Sequence, residues 1–488
     1  MTGGVAVRAQ GWHWRHAGRS AAAIRGLDLA IEPGERVLLL GPSGSGKSTL
    51  LQGLAGLLGG SEDGDESGRL LVDGAAPQDR RHRIGMVLQN PDSQVILSRV
   101  GDDVAFGMEN FRTERDAIWP RVRRALAAVG LDVPLRRDTS RLSGGQQQRL
   151  ALAGVLAMDP GLILLDEPTA NLDPAGVVEV RDAVAAAAAH TGATLVVVEH
   201  RTQVWLPVVD RVVVLGATGE VIADGPPEPT LRQQHDSLTR AGVWLPDVPL
   251  PSVTRDRRPA DPVLDAVALT AAHPGGPGTQ PLDFTLRRRS VTVVTGPNGA
   301  GKSALALSVG GLLPPRGGTL EAHPGFAPAP GRRRPVDWKS RDLLTRIGSV
   351  FQNPEHQFLT ASVRAELALG PRALGHRRDR IDRTCDALLD RLRLSTLADA
   401  NPYTLSGGEQ RRLSVATVLA TAPAVIVLDE PTFGQDRTTW EELICLLAEI
   451  ADDGTAVVAI THDTDFTDLL ADQRVELSSP AVAERADR

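Results

Sequence analysis

Short apolar runs that stop abruptly at a glycine or a charged residue recur along this chain. "RVLLLG" (36–41), "LILLDE" (162–167) and "TLVVVEH" (194–200) lie in the first half, and "VTVVTG" (291–296), "VIVLDE" (425–430) and "AVVAITH" (456–462) in the second. Runs of this length, apolar throughout rather than alternating, predict strands buried on both faces of a parallel sheet. The expected fold class is therefore α/β. In such a sheet the carboxyl ends of the strands line the ligand crevice. The glycine turns, the Asp-Glu pairs and the histidines should then gather on one edge.

The pattern is also written twice. "VLQNPDSQ" (87–94) returns as "VFQNPEHQ" (350–357), "LSGGQQQR" (142–149) as "LSGGEQRR" (405–412), and "LILLDEPT" (162–169) as "VIVLDEPT" (425–432), each 263 residues later. His200 and His462 are 262 apart, and the Gly-Lys loops 255, so the second copy carries eight extra residues before its glutamine. "HPGFAPAPGRRRPVDWKS", rich in Pro, Gly and Arg, is the expected place for them. Such repetition predicts two similar domains, 1–225 and 263–478. Residues 226–262, Pro-rich and without sustained periodicity, read as a linker, and 479–488 as a polar tail.

Composition narrows the classes of function. Of 488 residues 42% are hydrophobic and 23% charged, the balance of a folded protein with ample core. A net charge of −7 and a pI near 5.9 argue against a broad nucleic-acid footprint. Two cysteines, Cys385 and Cys445, exclude a disulfide framework and a four-cysteine zinc site. The N-terminus has no apolar h-region and no run of about 18 apolar residues occurs, so neither a secretion signal nor a membrane span is expected. Lysine is nearly absent: three residues, Lys47, Lys302 and Lys339, carry it, and every other cation of the 53 Lys and Arg is arginine.

Two of those three lysines sit in "GPSGSGKSTL" (41–50) and "GPNGAGKSAL" (296–305). Each follows a predicted strand and precedes an apolar helical stretch, the context of a P-loop. Gly41, Ser43, Gly44 and Gly46, with Gly296, Asn298, Gly299 and Gly301, form loops whose backbone amides can curl around phosphate oxygens at a helix N-terminus. Lys47 and Lys302 supply a compact point charge there, where a planar guanidinium is too wide. Ser48 and Ser303 offer a hydroxyl to Mg²⁺. Thr49 can add a hydroxyl toward the α-phosphate, which Ala304 cannot. Asp166 and Asp429 would hold the same Mg²⁺ through its waters, and Glu167 and Glu430 would polarise an attacking water as general bases. A strand-end Asp-Glu is by itself a helix-capping feature, a lone histidine is usually structural, and a lone glutamine usually solvent-exposed. Their ordered recurrence gives them weight.

That order, Lys-Ser, Gln89 or Gln352, "LSGG", "DEPT", an Asp six residues beyond the Glu (Asp173, Asp436), then His200 or His462, resembles the ATP-binding-cassette ATPases over nearly the whole chain. The resemblance implies two tandem P-loop NTPase domains, each with a mostly parallel core sheet and a helical subdomain. It implies a head-to-tail pairing in which ATP lies between the P-loop of one domain and Ser143, Gly144 and Gly145, or Ser406, Gly407 and Gly408, of the other. Both partners lie in one chain, so a homodimer is not required. The glutamines and histidines are implied to be catalytic, with Gln89 and Gln352 also reaching the metal. The family stacks an aromatic residue on adenine upstream of the P-loop. Trp14 is the candidate here, Trp12 its alternative, and His273 the nearest equivalent in the second copy. Two hydrolytic but unequal sites are expected.

"QNPDSQ" and "QNPEHQ" are similar to the pattern of energy-coupling-factor ATPases, which drive uptake of vitamins and of cobalt or nickel. The branch implies a groove, with Asp92, Gln94, Glu355 and Gln357 as contacts, that takes helices of a transmembrane coupling (T) component. A substrate-binding membrane (S) component would complete the importer, and the chain would lie on the cytoplasmic face of the membrane as a peripheral subunit. A fused tandem of this branch resembles importers of thiamine precursors such as hydroxymethylpyrimidine. Competing readings are a tandem cassette acting on ribosomes or nucleic acid, and the ATPase of an exporter or sugar importer. The Pro-rich linker, the two cysteines and the acidic balance weigh against the first, the paired "QNP(D/E)xQ" against the second.

Overall fold

In the computed structural model the described residues are 3–478 apart from 20, 43, 61–62, 89–92, 143, 170–171, 173, 200–201, 246–247, 259, 277, 406 and 433–434. The chain divides into two compact units, residues 1–249 with 436–438, and residues 250–435 with 439–488.

The first unit opens with β1 (Val7–His16), β2 (Ile24–Ile31), β3 (Arg36–Leu40), α1 (Lys47–Leu54), β4 (Gly64–Val72) and β5 (Ile84–Val87). Three helices follow, α2 (Val100–Asn110), α3 (Arg115–Ala128) and α4 (Gly144–Ala157). The unit continues through β6 (Leu162–Asp166), α5 (Pro174–Thr191), β7 (Thr194–Val198), α6 (Thr202–Trp205), β8 (Arg211–Leu215) and β9 (Val221–Gly225). One sheet has the order β5-β6-β7-β3-β8-β9, parallel from β5 to β8 with β9 antiparallel at its edge. A second, antiparallel sheet has the order β2-β1-β4.

The apolar runs explain the layering. Successive side chains of a strand point to opposite faces. Leu38 and Leu40, Ile163 and Leu165, and Leu195 and Val197 enter one core with α2, α3 and α4. Val37 and Leu39, Leu162 and Leu164, and Val196 and Val198 enter another with α1 and the antiparallel sheet. Neither face can be polar, so these strands do not alternate. Each fully buried Leu, Ile or Val contributes roughly 1.5–3 kcal/mol.

Within 226–262, expected as a linker without periodicity, two short helices form. α7 (Pro227–Gln233) and α8 (His235–Arg240) place Leu231 and Leu238 in the first unit's core, joined by Val243 and Leu245. Farther on, Arg255 has a side chain only 1% exposed and bonds Asp452 and Asp472 within the second unit.

The second unit repeats the plan. β10 (Pro262–Thr270), β11 (Leu282–Arg287) and β13 (Gly317–Ala322) make an antiparallel sheet of order β11-β10-β13. β12 (Val291–Thr295), β14 (Ile347–Val350), β15 (Val425–Asp429), β16 (Ala456–Ile460) and β17 (Gln473–Glu476) pair in parallel in the order β14-β15-β16-β12-β17. Its helices are α9 (Lys302–Val309), α10 (Ser340–Leu344), α11 (Val363–Ala373), α12 (Arg378–Arg391), α13 (Gly407–Leu419), α14 (Arg437–Asp452) and α15 (Thr464–Leu470). The extra residues after β13 close on themselves, with Phe326 and Trp338 packed edge to face and Trp338 Nε1 donating to the Arg332 carbonyl.

Candidate nucleotide site

In each unit an interior strand of the parallel sheet, β3 or β12, ends in a glycine turn that opens a helix. φ is 81° at both Gly44 and Gly299, 86° at Gly46 and 91° at Gly301. A Cβ at Gly44 or Gly299 would meet nothing within 4 Å, so left-handed backbone rather than crowding requires glycine there, and that side of the loop is open. Lys47 Nζ donates to the carbonyls of Gly41 and Pro42, both at 2.8 Å. Lys302 Nζ does the same to Gly296 at 2.8 Å and Pro297 at 3.0 Å. Each ammonium is thus curled over its own loop. Burial pushes the Lys47 ammonium below its usual range, opposed by the carboxylates of Glu167 and Asp166.

Those acids arrive from β6, and their counterparts from β15, in each case one strand removed from the glycine-loop strand in the same sheet. Asp166 ends β6 and Asp429 ends β15, and both are buried. The residues after them share an uncommon backbone: φ is 50° at Glu167 and 50° at Glu430. A non-glycine residue held there costs on the order of 1 kcal/mol or more and persists only where its surroundings impose it. The imposing contact is the same in both units, since Glu167 N donates to Val198 O and Glu430 N to Ile460 O, each at 2.9 Å.

Around Glu430 the second unit supplies three further groups. Thr461 Oγ1 donates to Glu430 Oε2 at 3.3 Å, and His462 Nε2 lies 3.8 Å from Glu430 Oε1 and 3.2 Å from Asn298 Oδ1. The histidine therefore faces both the glycine loop and the acid. Burial first, and the Asp429 charge second, push the Glu430 carboxyl up to about 7, against the pull of Lys302. Asp429 is raised by burial and lowered by the Ser303 hydroxyl, Arg411 and Lys302.

Ser303 and Asp429 thus meet at one point, a hydroxyl and a carboxylate. This oxygen donor set suits Mg²⁺, which keeps several waters and takes its remaining ligands from phosphates. Among the described residues no group of three or more His, Cys, Asp or Glu could hold a metal alone.

Gly144 and Gly145 begin α4, and Gly407 and Gly408 begin α13, leaving backbone amides at helix N-termini. Ser43, Gln89, Asp92, Ser143, Asp173, His200 and Ser406 lie outside the described residues.

Three expectations require correction. Trp14, expected to stack on adenine, is fully buried in the core, and so is its alternative Trp12. Apolar burial takes both rings inward from β1, and neither face is open to a base. His16, two residues on, is the side chain at the loop: its Nε2 lies 3.0 Å from Thr49 Oγ1, and Trp14 Nε1 reaches its Nδ1 at 3.3 Å. Burial, then the charge of Arg19, lowers the His16 imidazole below its ordinary range.

Gln94 and Gln357, expected as groove contacts, are turned inward. Gln94 bonds Leu88 N at 2.8 Å and Met86 O at 2.9 Å, stitching the end of β5. Gln357 donates to Ser414 O at 3.1 Å and Thr417 Oγ1 at 2.8 Å on α13. Backbone groups freed at a strand end need partners, and the Gln94 amide supplies them, whereas Gln357 ties its loop to α13. Glu355 and Gln352 are exposed.

Sequence reasoning passed over Asp103 and Glu366, which are 263 residues apart. Asp103 Oδ1 accepts from Ile96 N and Leu97 N, both at 2.8 Å. Glu366 Oε2 accepts from Leu359 N at 3.0 Å and Thr360 N at 2.8 Å. Each clamps a loop that presents one large apolar side chain, Ile96 at 60% and Leu359 at 77% exposure. The repeat register carried that signal, as "HAG" (16–18) beside "HPG" (273–275) carried it for His16.

Residues 24–170 and 279–433 match the model of the family described as ABC transporter. The chain belongs to the ABC transporter family. It carries the family's ATP-binding domain twice and is an ATPase. A protein of Bacillus subtilis (strain 168), "Putative HMP/thiamine import ATP-binding protein YkoD", is 34% identical over 94% of this chain and 87% of its own length. A Streptomyces avermitilis protein named for ABC transporter ATP binding is 33% identical over 95% of this chain and 91% of its own. Among solved structures, "Model of ribosome-bound archaeal Pelota and ABCE1" contains a chain similar at a TM-score of 0.66 and 20% identity, covering 95% of this chain and 76% of that one. That likeness is one of fold.

Proposed function

We propose that this ATPase is the motor of an energy-coupling-factor importer, hydrolysing Mg·ATP at two composite sites to drive uptake of a vitamin, vitamin precursor or metal ion. The observation that carries this reading is the 34% identity over 94% of the chain to a protein named for HMP/thiamine import. The paired "QNPDSQ" and "QNPEHQ" support it.

The chemistry follows from the groups described. The loop amides with Lys47 and Lys302 bind the phosphates, while Ser48 with Asp166, and Ser303 with Asp429, would hold Mg²⁺, which would offset phosphate charge. Glu167 and Glu430 accept a proton from the attacking water as the bond between the β-γ bridging oxygen and the γ-phosphorus breaks. The Glu430 carboxyl, raised by burial to about 7, is suited to that exchange. His462 orients acid and loop together, and His200 has the same role in the first unit. Gln89 and Gln352 sense the γ-phosphate. Gly144, Gly145, Gly407 and Gly408, with Ser143 and Ser406, complete each site across the two domains of one chain, so a homodimer is not needed.

The ATPase domains are assigned to 1–225 and 263–478, with 226–262 joining them and 479–488 as a tail. No described helix is long and apolar enough to cross a membrane. Membrane partners, a T and an S component, would hold the chain at the cytoplasmic face, with Ile96 and Leu359 as the apolar contacts beside the glutamine segments. The test is purification of the full chain from native membranes. Hydrophobic membrane partners and ATP-dependent vitamin or metal uptake on reconstitution are expected, whereas recovery with only ribosomes or DNA would overturn the reading.

A further inference from the structure

The two units differ at one buried position that the repeat makes directly comparable. Arg411 in the second unit corresponds to Gln148 in the first, 263 residues earlier. Arg411 lies on α13, four residues into the helix that begins at Gly407, and is 3% exposed. Its Nη1 donates to Phe351 O at 2.7 Å and to Asp429 O at 3.3 Å, and its Nη2 donates to Gln352 O. One guanidinium therefore joins three parts of the second unit: the "LSGG" helix, the segment bearing Gln352, and the strand end bearing Asp429 and Glu430. A guanidinium has donors in a fixed, planar fork, so bonding three carbonyls at once fixes their separation and direction. Its charge is held by those carbonyl dipoles and by the neighbouring Asp429 and Glu430 carboxylates.

Gln148 sits in the same place on α4 and is 1% exposed, yet its Nε2 and Oε1 have no hydrogen-bond partner among the described residues. Buried polar groups are almost always paired. Among the described residues the first unit thus has an uncharged side chain without a hydrogen bond where the second has a three-way tie.

We infer that Arg411 is a positioning residue that locks the signature helix of the second unit to its glutamine segment and strand-end acids, and that the first unit lacks this lock. Because the fork acts through backbone carbonyls, it sets where Asp429, Glu430 and Gln352 stand without touching nucleotide. The consequence is a functional inequality between the two halves, beyond the Thr49 and Ala304 difference. The second unit's acids are tied to its helix through this guanidinium, and the first unit has no guanidinium at the matching position.

This inference rests on the proposed roles of Asp429 and Glu430, and the test separates the two. Steady-state ATP hydrolysis by the full chain is measured for Arg411→Gln, which reproduces the first unit's residue, for Arg411→Lys, for Gln148→Ala and for Glu430→Gln. Arg411→Gln is expected to lower kcat about tenfold or more with KM changed less than threefold, and Arg411→Lys to recover part of that loss. Gln148→Ala is expected to change kcat less than twofold. The inference is overturned if Arg411→Gln keeps kcat within twofold, if Gln148→Ala costs as much as Arg411→Gln, or if the loss tracks a fall in Tm that Arg411→Lys shares. Should Arg411→Gln not fold, Arg411→Lys alone decides, since a kcat equal to the parent shows that charge without the fork suffices. Full turnover in Glu430→Gln would instead remove the general-base reading, whatever Arg411 does.

Discussion

Glu167 and Glu430 hold the same left-handed backbone, φ 50° in each, one residue beyond the ends of repeat-related strands. Strain kept twice at the same place points to a requirement that packing alone does not impose. The prediction is that Glu167→Gln and Glu430→Gln together lower turnover at least 100-fold while ATP binding persists, measured by phosphate release and by retained nucleotide. Glu430→Gly should separate the two demands: turnover falls similarly, but relief of the backbone raises stability by about 1 kcal/mol in a denaturant titration. A destabilised Glu430→Gly would contradict the strain argument.

Burial gives the nucleotide-free protein a stability that depends on pH. The Glu430 carboxyl is raised from 4.5 to about 7, so between those values the folded chain carries a proton that the unfolded chain has released. With the folded value the higher, this group's contribution is fully present below about pH 4.5 and lost as pH rises through about 7. The expected loss is on the order of 1–3 kcal/mol. Thermal unfolding of nucleotide-free protein from pH 5.5 to pH 8.5 checks it. Glu430→Gln should flatten that part of the profile, and an unchanged slope would assign the dependence to other groups.

Much of this was legible in the chain. The apolar runs became the parallel strands because burial on two faces leaves no room for alternation, and the motif order put glycine loops and acids at strand ends. Trp14 was misread because a sequence does not say which way an aromatic side chain of β1 points. The ring that best fills an apolar core and the ring placed for a base are the same residue type. Gln94 and Gln357 were misread for a related reason: a polar amide in a loop looks exposed until the polar groups packed beside it, strand-end backbone for one and α13 for the other, are counted. Arg411 was invisible because arginine is so abundant in this chain that no single one stands out.

The Trp14 correction makes its own prediction. Trp14→Ala should destabilise the first unit by about 3–5 kcal/mol, the range for emptying a buried aromatic site, seen as a loss of soluble protein or a lower Tm. His16→Ala should leave Tm within a few degrees and act on nucleotide affinity instead, through loss of the contact to Thr49. The measurement is nucleotide titration of the purified chain, with an affinity loss of about threefold to tenfold expected. A Trp14→Ala protein of unchanged Tm, or a His16→Ala protein of unchanged affinity, would return the assignment to Trp14.

Leu359 and Ile96 allow the partner reading to be tested apart from stability. Each is exposed, at 77% and 60%, on a loop whose amides are already satisfied by Glu366 or Asp103. A carboxylate introduced there removes no core contact, so Leu359→Asp and Ile96→Asp should change folding stability by no more than about 0.5 kcal/mol. At an interface the same charge would have to be desolvated without a partner, which costs far more. Recovery of membrane partners in a pull-down should therefore fall at least tenfold in the double variant, with Tm unchanged. Partner recovery equal to that of the parent chain would move the docking surface away from the loops that Asp103 and Glu366 hold.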